Sequence, residues 1–204
     1  MGSFYLDIIK DRQYTTQENS QARRSCQTAM YHIAQALVRA MAPILSFTAE
    51  EIWRNLPAKD EKSVFLTQWY DQFPEMNETN LDNTFWQEVA SVRDAVNKLI
   101  ETKRNAGEVG SALAAEVNLY CDNQLKNKLS QLSDELRFVL ITSSAKVYSL
   151  EEKINEAEIT EIDGLYLSIT TSSHEKCIRC WHRRADVGEN KEHPELCSRC
   201  VENI

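Results

Sequence analysis

Glycine and proline are scarce in this chain, at 5 and 4 of 204 residues. That scarcity argues against a turn-rich all-β design and favours helix. No run of about 18 apolar residues occurs, so no segment is suited to spanning a membrane. A secretory h-region is also missing, and Met1-Gly2-Ser3 reads as a cloning remnant ahead of a segment that starts in mid-protein. There is no phosphate-cradling glycine loop and no nucleophile elbow. Acidic pairs such as that in "TAEE" have no companion for acid–base work and read as a solvated helix face. Internal repeats and low-complexity tracts are absent too.

What is present is enough for a real core: 42% of the residues are apolar. The net charge of −8 speaks against a general polyanion binder. The charge is unevenly spread, however. Residues 1–54 carry 6 basic and 5 acidic side chains, residues 55–173 carry 11 and 20, and residues 174–204 carry 6 of each. Both ends are near neutral and remain open to a nucleic-acid contact.

From Phe4 to Tyr14 the sequence is compatible with a short helix. Ala22, Cys26, Met30, Ile33, Leu37 and Met41 recur in steps of three and four, which predicts a helical face ending near Pro43. Arg24 and Arg39 fall opposite that stripe, and Arg23 lies closer to it. "SFTAEEIW" reads as another helix, with Ser46 or Thr48 as its cap. Residues 57–80 look irregular. Phe85, Val89, Val92, Val96, Leu99 and Lys103 then mark a strong helix from about Asn83 to Arg104, punctuated by Gly107 and Gly110. Beyond it "AEVNLYC", "AKVYSL" and "LYLSITT" read as strands, and residues 123–141 as one helix. The expected fold is mainly α: a helical bundle over residues 4–106, a small α+β unit over 107–172, and a zinc-binding module over 173–204.

That module holds four of the six cysteines. Cys177-x2-Cys180 and Cys197-x2-Cys200 are sixteen residues apart. Two such turns each point two sulfurs into one small volume, and together complete a tetrahedral, closed, structural Zn2+ site. Two disulfides are the weaker alternative, since no secretion signal is present and a reduced compartment is the default. His174, His182 and His193 read as solvated, and Cys26 and Cys121 as small buried apolar residues. Trp181 directly follows the second cysteine, with Arg179, Arg183 and Arg184 around it. It either packs the module against the α+β unit or serves as a platform for an unpaired base.

"KDRQYT" and "ARRSCQTAMYHIAQALVRAMAPILSFTAEEIW" resemble the anticodon-binding helical domain of bacterial isoleucyl-tRNA synthetases. "MAPILSFTAEEIW" alone is similar to a wider set that includes the valyl, leucyl and methionyl enzymes. "KCIRCWHRRADVG" and "HPELCSRCVENI" narrow it, since they resemble the zinc module that ends the bacterial isoleucyl enzyme. "FWQEVASVRDAVNKLIE" and "DELRFVLITSSAKV" resemble the segments between. The resemblance runs from Phe4 to Ile204. It implies a tRNA-recognition region of a cytoplasmic ligase that activates isoleucine with ATP. Neither the HIGH nor the KMSKS signature occurs, so ATP would belong only to the parent's catalytic domain. Cys177, Cys180, Cys197 and Cys200 would hold one zinc. Trp181, Arg179, Arg183, Arg24, Arg23 and Arg39 are the candidate contacts to the isoleucine tRNA. A monomer without DNA or membrane partners is expected. A DNA-repair glycosylase finger, or a zinc-stapled interaction module, are the alternatives. Against the first, such glycosylases use an N-terminal proline nucleophile, where this chain begins Met-Gly-Ser-Phe.

Overall fold

The computed structural model describes residues 2–57, 61–74 and 81–204. They fall into two compact units: Met1–Thr16 with Thr79–Ile204, and Gln17–Glu78. Residues 4–106, one helical region by sequence, are therefore divided between the two. About half of the chain is helical, beside one four-stranded sheet and a four-cysteine cluster. Among the described residues no helix is long and apolar enough to cross a membrane.

The smaller unit is built on helices α2 (Gln21–Met41) and α3 (Ser46–Asn55). Ser20 caps α2 by accepting from the Arg23 backbone N–H at 3.2 Å. The core is Val38, Ala42, Ala49, Trp53 and Val64. Trp53 is wholly buried, and its indole N–H donates to the Glu61 carbonyl at 3.0 Å. Glu50 accepts from Ser63 Oγ and the Val64 N–H, which ties a short 3-10 turn, Val64–Leu66, to α3. The hydrogen bond from Ser63 is the main reason that the Glu50 carboxyl titrates below its usual range.

Two expectations for this unit need correction. Leu37 is half exposed while Val38 is buried, so the packed face of α2 is rotated toward Gln35, Val38 and Ala42. The reason is that α3 and the 3-10 turn cover that side. Neither Ser46 nor Thr48 caps α3: the N-cap is Leu45, and Ser46 Oγ donates back to the Ala42 carbonyl. Of the irregular stretch 57–80, residues 58–60 and 75–80 lie outside the described residues.

The larger unit begins with a π-helical turn, Gly2–Leu6, and helix α1 (Asp7–Thr15). It resumes with α4 (Asn83–Asn105), whose cap Asp82 accepts from the Phe85 N–H at 2.7 Å. Phe85, Val89, Val92, Val96 and Ile100 are buried along α4, at the spacing of a single helical face. The sheet follows: β1 (Ala115–Cys121), β2 (Ser144–Ser149), β3 (Glu158–Ile159) and β4 (Leu165–Thr171), in the order β2-β1-β4-β3. β1 and β2 are parallel, and the other pairs are antiparallel. In register, Val117 faces Ile169, Leu119 faces Leu167 and Cys121 faces Leu165. These residues form one apolar face, which shares a core with α4.

The parallel crossover from β1 to β2 carries two helices where one was expected, α5 (Asn123–Ser130) and α6 (Glu135–Leu140). The break falls at Ser133, with φ of 45°. β3, an exposed two-residue edge strand, was not foreseen. Cys26 and Cys121 are buried and unpaired, as small apolar residues would be.

Candidate functional site

The last thirty residues pack around their cysteines. Cys177, Cys180, Cys197 and Cys200 are at most 7% exposed, and Leu196, Val187 and Val201 close over them. All four Sγ atoms lie within 4.8 Å of one another, and Cys180 and Cys197 are 3.8 Å apart. A tetrahedral zinc with Zn–S of ~2.3 Å needs sulfurs about 3.8 Å apart, so the cluster fits that ion. The sulfurs also share their protons unequally. Hydrogen bonds from Cys180 and then Cys200 hold Cys197 well below an ordinary thiol, while Cys200 is pushed up. A cluster that readily yields a thiolate is suited to a soft cation.

Backbone hydrogen bonds build the first cysteine turn. The Trp181 N–H donates to the Cys177 carbonyl at 2.9 Å, and the Cys177 N–H to the His182 carbonyl at 2.9 Å. The second turn opens the four-residue helix α7 (Ser198–Val201), whose Ser198 N–H donates to Asp186 Oδ2 at 2.9 Å. Burial raises the proton affinity of Asp186, but hydrogen bonds from Ser198 and its own backbone, with the nearby Arg184, together outweigh it and the carboxyl titrates low. The module is fastened to the sheet through Ser143, whose Oγ accepts from the Arg183 N–H at 2.6 Å and donates to the Leu113 carbonyl at 2.6 Å.

Trp181 stands out. Its backbone is left-handed, with φ of 66°, and 59% of the residue is exposed. The indole N–H donates to the Ile178 carbonyl at 3.1 Å, and Lys176 Nζ lies 5.1 Å from the ring centroid. The ring is thereby oriented, with one cation already on it. Arg179 is anchored through Nη2 to the Asn203 carbonyl at 2.9 Å. Trp181 and Arg179 line one cavity of about 500 Å³, together with Tyr14 of α1 and Phe138 and Ile141 of α6 and its end. Arg183 Nη1 donates to the His174 carbonyl at 2.9 Å.

The other candidate arginines belong to the smaller unit. Arg24 is exposed and borders an open groove with Asn19, Thr28 and His32. Arg23 is half-buried. Arg39 is not on a solvated side. Its guanidinium lies over Trp53 at 4.7 Å and Tyr70 at 5.2 Å, and it hydrogen bonds to Gln35. The α2 face that buries Gln35 and Val38 brings Arg39 along its edge.

His182 also departs from expectation. It is 3% exposed rather than solvated, and packs edge-on to Phe138 at 5.6 Å. His174, by contrast, is nearly half exposed. Sequence reasoning missed Asp11, Arg199 and Lys176 as parts of this region. Arg199 sits inside a C-x-x-C turn, which was the one available signal.

A helical unit joined to a four-cysteine finger defines a class. Residues 1–119 match the family described as the anticodon-binding domain of tRNA ligase, and the chain belongs to that family. Residues 175–203 match the zinc finger found in FPG and IleRS. Along its whole length the chain is similar to isoleucine--tRNA ligases: 58% identical to that of Saccharophagus degradans, 56% to that of Pseudomonas putida and 54% to that of Legionella pneumophila. In each case all of this chain is covered and 22% of the relative, so the chain spans about a fifth of the length of these proteins.

Proposed function

We propose that the chain is the tRNA-recognition part of an isoleucine--tRNA ligase. The parent would activate isoleucine with ATP in a separate catalytic domain and work in the cytoplasm. This part would recognise the isoleucine tRNA as a monomer and contribute no chemistry of its own. Its working divisions would be a helical anticodon-binding region over residues 4–106, a linking α+β unit over 107–172 and the zinc module over 173–204. One zinc, held by Cys177, Cys180, Cys197 and Cys200, would make that small module rigid.

The observation that carries this reading is the exposed Trp181 indole on the cysteine turn, with Lys176 over its ring and Arg179 lining the same cavity. Unpaired bases of an RNA loop are recognised by stacking on aromatic and guanidinium planes. An oriented ring with one cation on it and a second lining the same cavity offers such a plane and compensates a phosphate. Arg183 and the exposed Arg24 would add backbone contacts, with smaller shares from the half-buried Arg23 and Arg39. Contacts of that kind position the nucleic acid and weaken with salt.

The test is a filter-binding titration at fixed salt with tRNA carrying the isoleucine anticodon, a tRNA with another anticodon, and duplex DNA. The first should bind most tightly. Equal binding of both tRNAs would reduce the reading to a non-specific RNA binder, and preference for duplex DNA would replace it with the glycosylase-like alternative.

A further inference from the structure

Helix α1 meets the metal finger through a salt bridge that spans 188 residues of sequence. Arg199 lies between Cys197 and Cys200, within the second cysteine turn. Its Nη1 donates to Asp11 Oδ1 at 2.7 Å, and its Nη2 to Oδ2 at 2.8 Å. Nη1 also reaches Thr15 Oγ1, one turn along α1, at 3.2 Å. The two side chains are only 25% and 13% exposed, so water screens this bidentate pair weakly.

His182 approaches the same carboxylate. Its Nδ1 is 3.9 Å from Asp11 Oδ2 and is buried without a closer polar partner. Phe138 of α6 underlies both groups, 5.6 Å from the His182 ring and 5.1 Å from the Arg199 guanidinium. The His182 carbonyl in turn accepts from the Cys177 N–H at 2.9 Å. One carboxylate of α1 therefore grips the second cysteine turn through Arg199 and faces His182, which follows the first turn by two residues.

We propose that Asp11 is a positioning residue for the metal centre: by gripping Arg199 and facing His182 it holds the second cysteine turn against α1, and so sets how slowly zinc leaves. Groups that orient metal ligands are worth about 10- to 100-fold in metal affinity. Without Asp11, Arg199 becomes a half-buried cation lacking its counter-charge, and the turn that carries it must move to rehydrate it. The proposal rests on the zinc reading, yet the two fail separately. A parent protein that holds no zinc removes that reading, whereas zinc that leaves variant and parent alike removes only the role of Asp11.

The experiment follows zinc transfer from the folded chain to a chromophoric chelator, together with the sulfur-to-metal charge-transfer absorption of the cobalt-substituted protein. Asp11→Asn should release zinc about 10- to 100-fold faster and shift the absorption band. Arg199→Gln should do the same, and the double variant should be no faster than the faster single one, because the two act as a unit. Asp11→Glu, which keeps the charge, should recover much of the slow rate. Val92→Ala, in the buried face of α4, should lower the melting temperature with neither rate nor band altered. Release from Asp11→Asn at the parent rate, Asp11→Glu as fast as Asp11→Asn, or Val92→Ala equally fast would each overturn the proposal.

Discussion

At the scale of the residue, Trp181 combines two properties that usually conflict. Its left-handed backbone costs a non-glycine residue about 1–2 kcal/mol. Its indole then remains 59% exposed, so packing returns little of that cost. The expense makes sense if the ring is held for a ligand. Replacing it separates the two effects. Trp181→Ala and Trp181→Gly should both weaken binding of the isoleucine tRNA by about 5- to 150-fold, the loss of one stacked base. Trp181→Gly should nevertheless melt higher than Trp181→Ala, by about 1 kcal/mol of stability, because glycine accepts a positive φ without strain. Both should retain zinc. Variants that lose zinc or melt early, yet bind tRNA as the parent does when folded, would show the indole to be packing only.

Elements show why parts of this fold were legible in the sequence and others were not. In α4, β1 and β4 one periodicity persists from end to end, and tertiary packing uses the same face that the pattern marks. The cysteine spacing was legible for a similar reason: two short turns carry their own geometry. The split between α5 and α6 was hidden because Leu129, Leu132 and Leu136 keep helical spacing across it. The chain turns there at Ser133, with neither glycine nor proline to announce it. Asp11 and Arg199 were invisible as a pair because only the folded chain brings them together.

One junction between elements invites a direct test. Asp122 caps α5 by accepting from the Leu125 N–H at 2.8 Å, while its own N–H donates to the Gly164 carbonyl at 3.0 Å. Gly164 has φ of 77°, and a Cβ there would come within 2.5 Å of Asp122 Oδ2 and 3.1 Å of its Cγ. The cap and the turn entering β4 thus occupy adjoining space. Asp122→Ala should cost about 1 kcal/mol, the usual value of an N-cap. Gly164→Ala should cost about 1–2 kcal/mol from backbone strain, plus the displacement of the cap. Denaturant melts of both and of the double variant should therefore show less than additive losses. Strict additivity would mean that the cap moves aside freely.

For the whole molecule, the decisive feature is that its apolar clusters are separate. The core of α2 and α3, the core of α4 with the sheet, and the cysteine cluster share no residue. About thirty residues cannot bury enough apolar area to fold unaided, so the finger depends on its metal. Among the described residues the finger is tied to the rest of its unit by few side-chain bonds, chiefly Arg199 to Asp11 and Thr15, and the Arg183 N–H to Ser143. Removing zinc with a strong chelator under reducing conditions should therefore act unevenly, and hydrogen exchange read by peptide should show it. Protection should vanish across residues 175–203 and fall next in α1, which loses its grip on Arg199. It should persist in α4, β1 and β4, and in α2 and α3, whose core contains none of the residues released. Binding of the isoleucine tRNA should fall with the finger, since Trp181 and Arg179 lose their fixed backbone, and should return when zinc is restored. Equal loss of protection in α2 and α3 would mean that the smaller unit depends on the metal as well, and that the separation of cores does not govern how this chain unfolds.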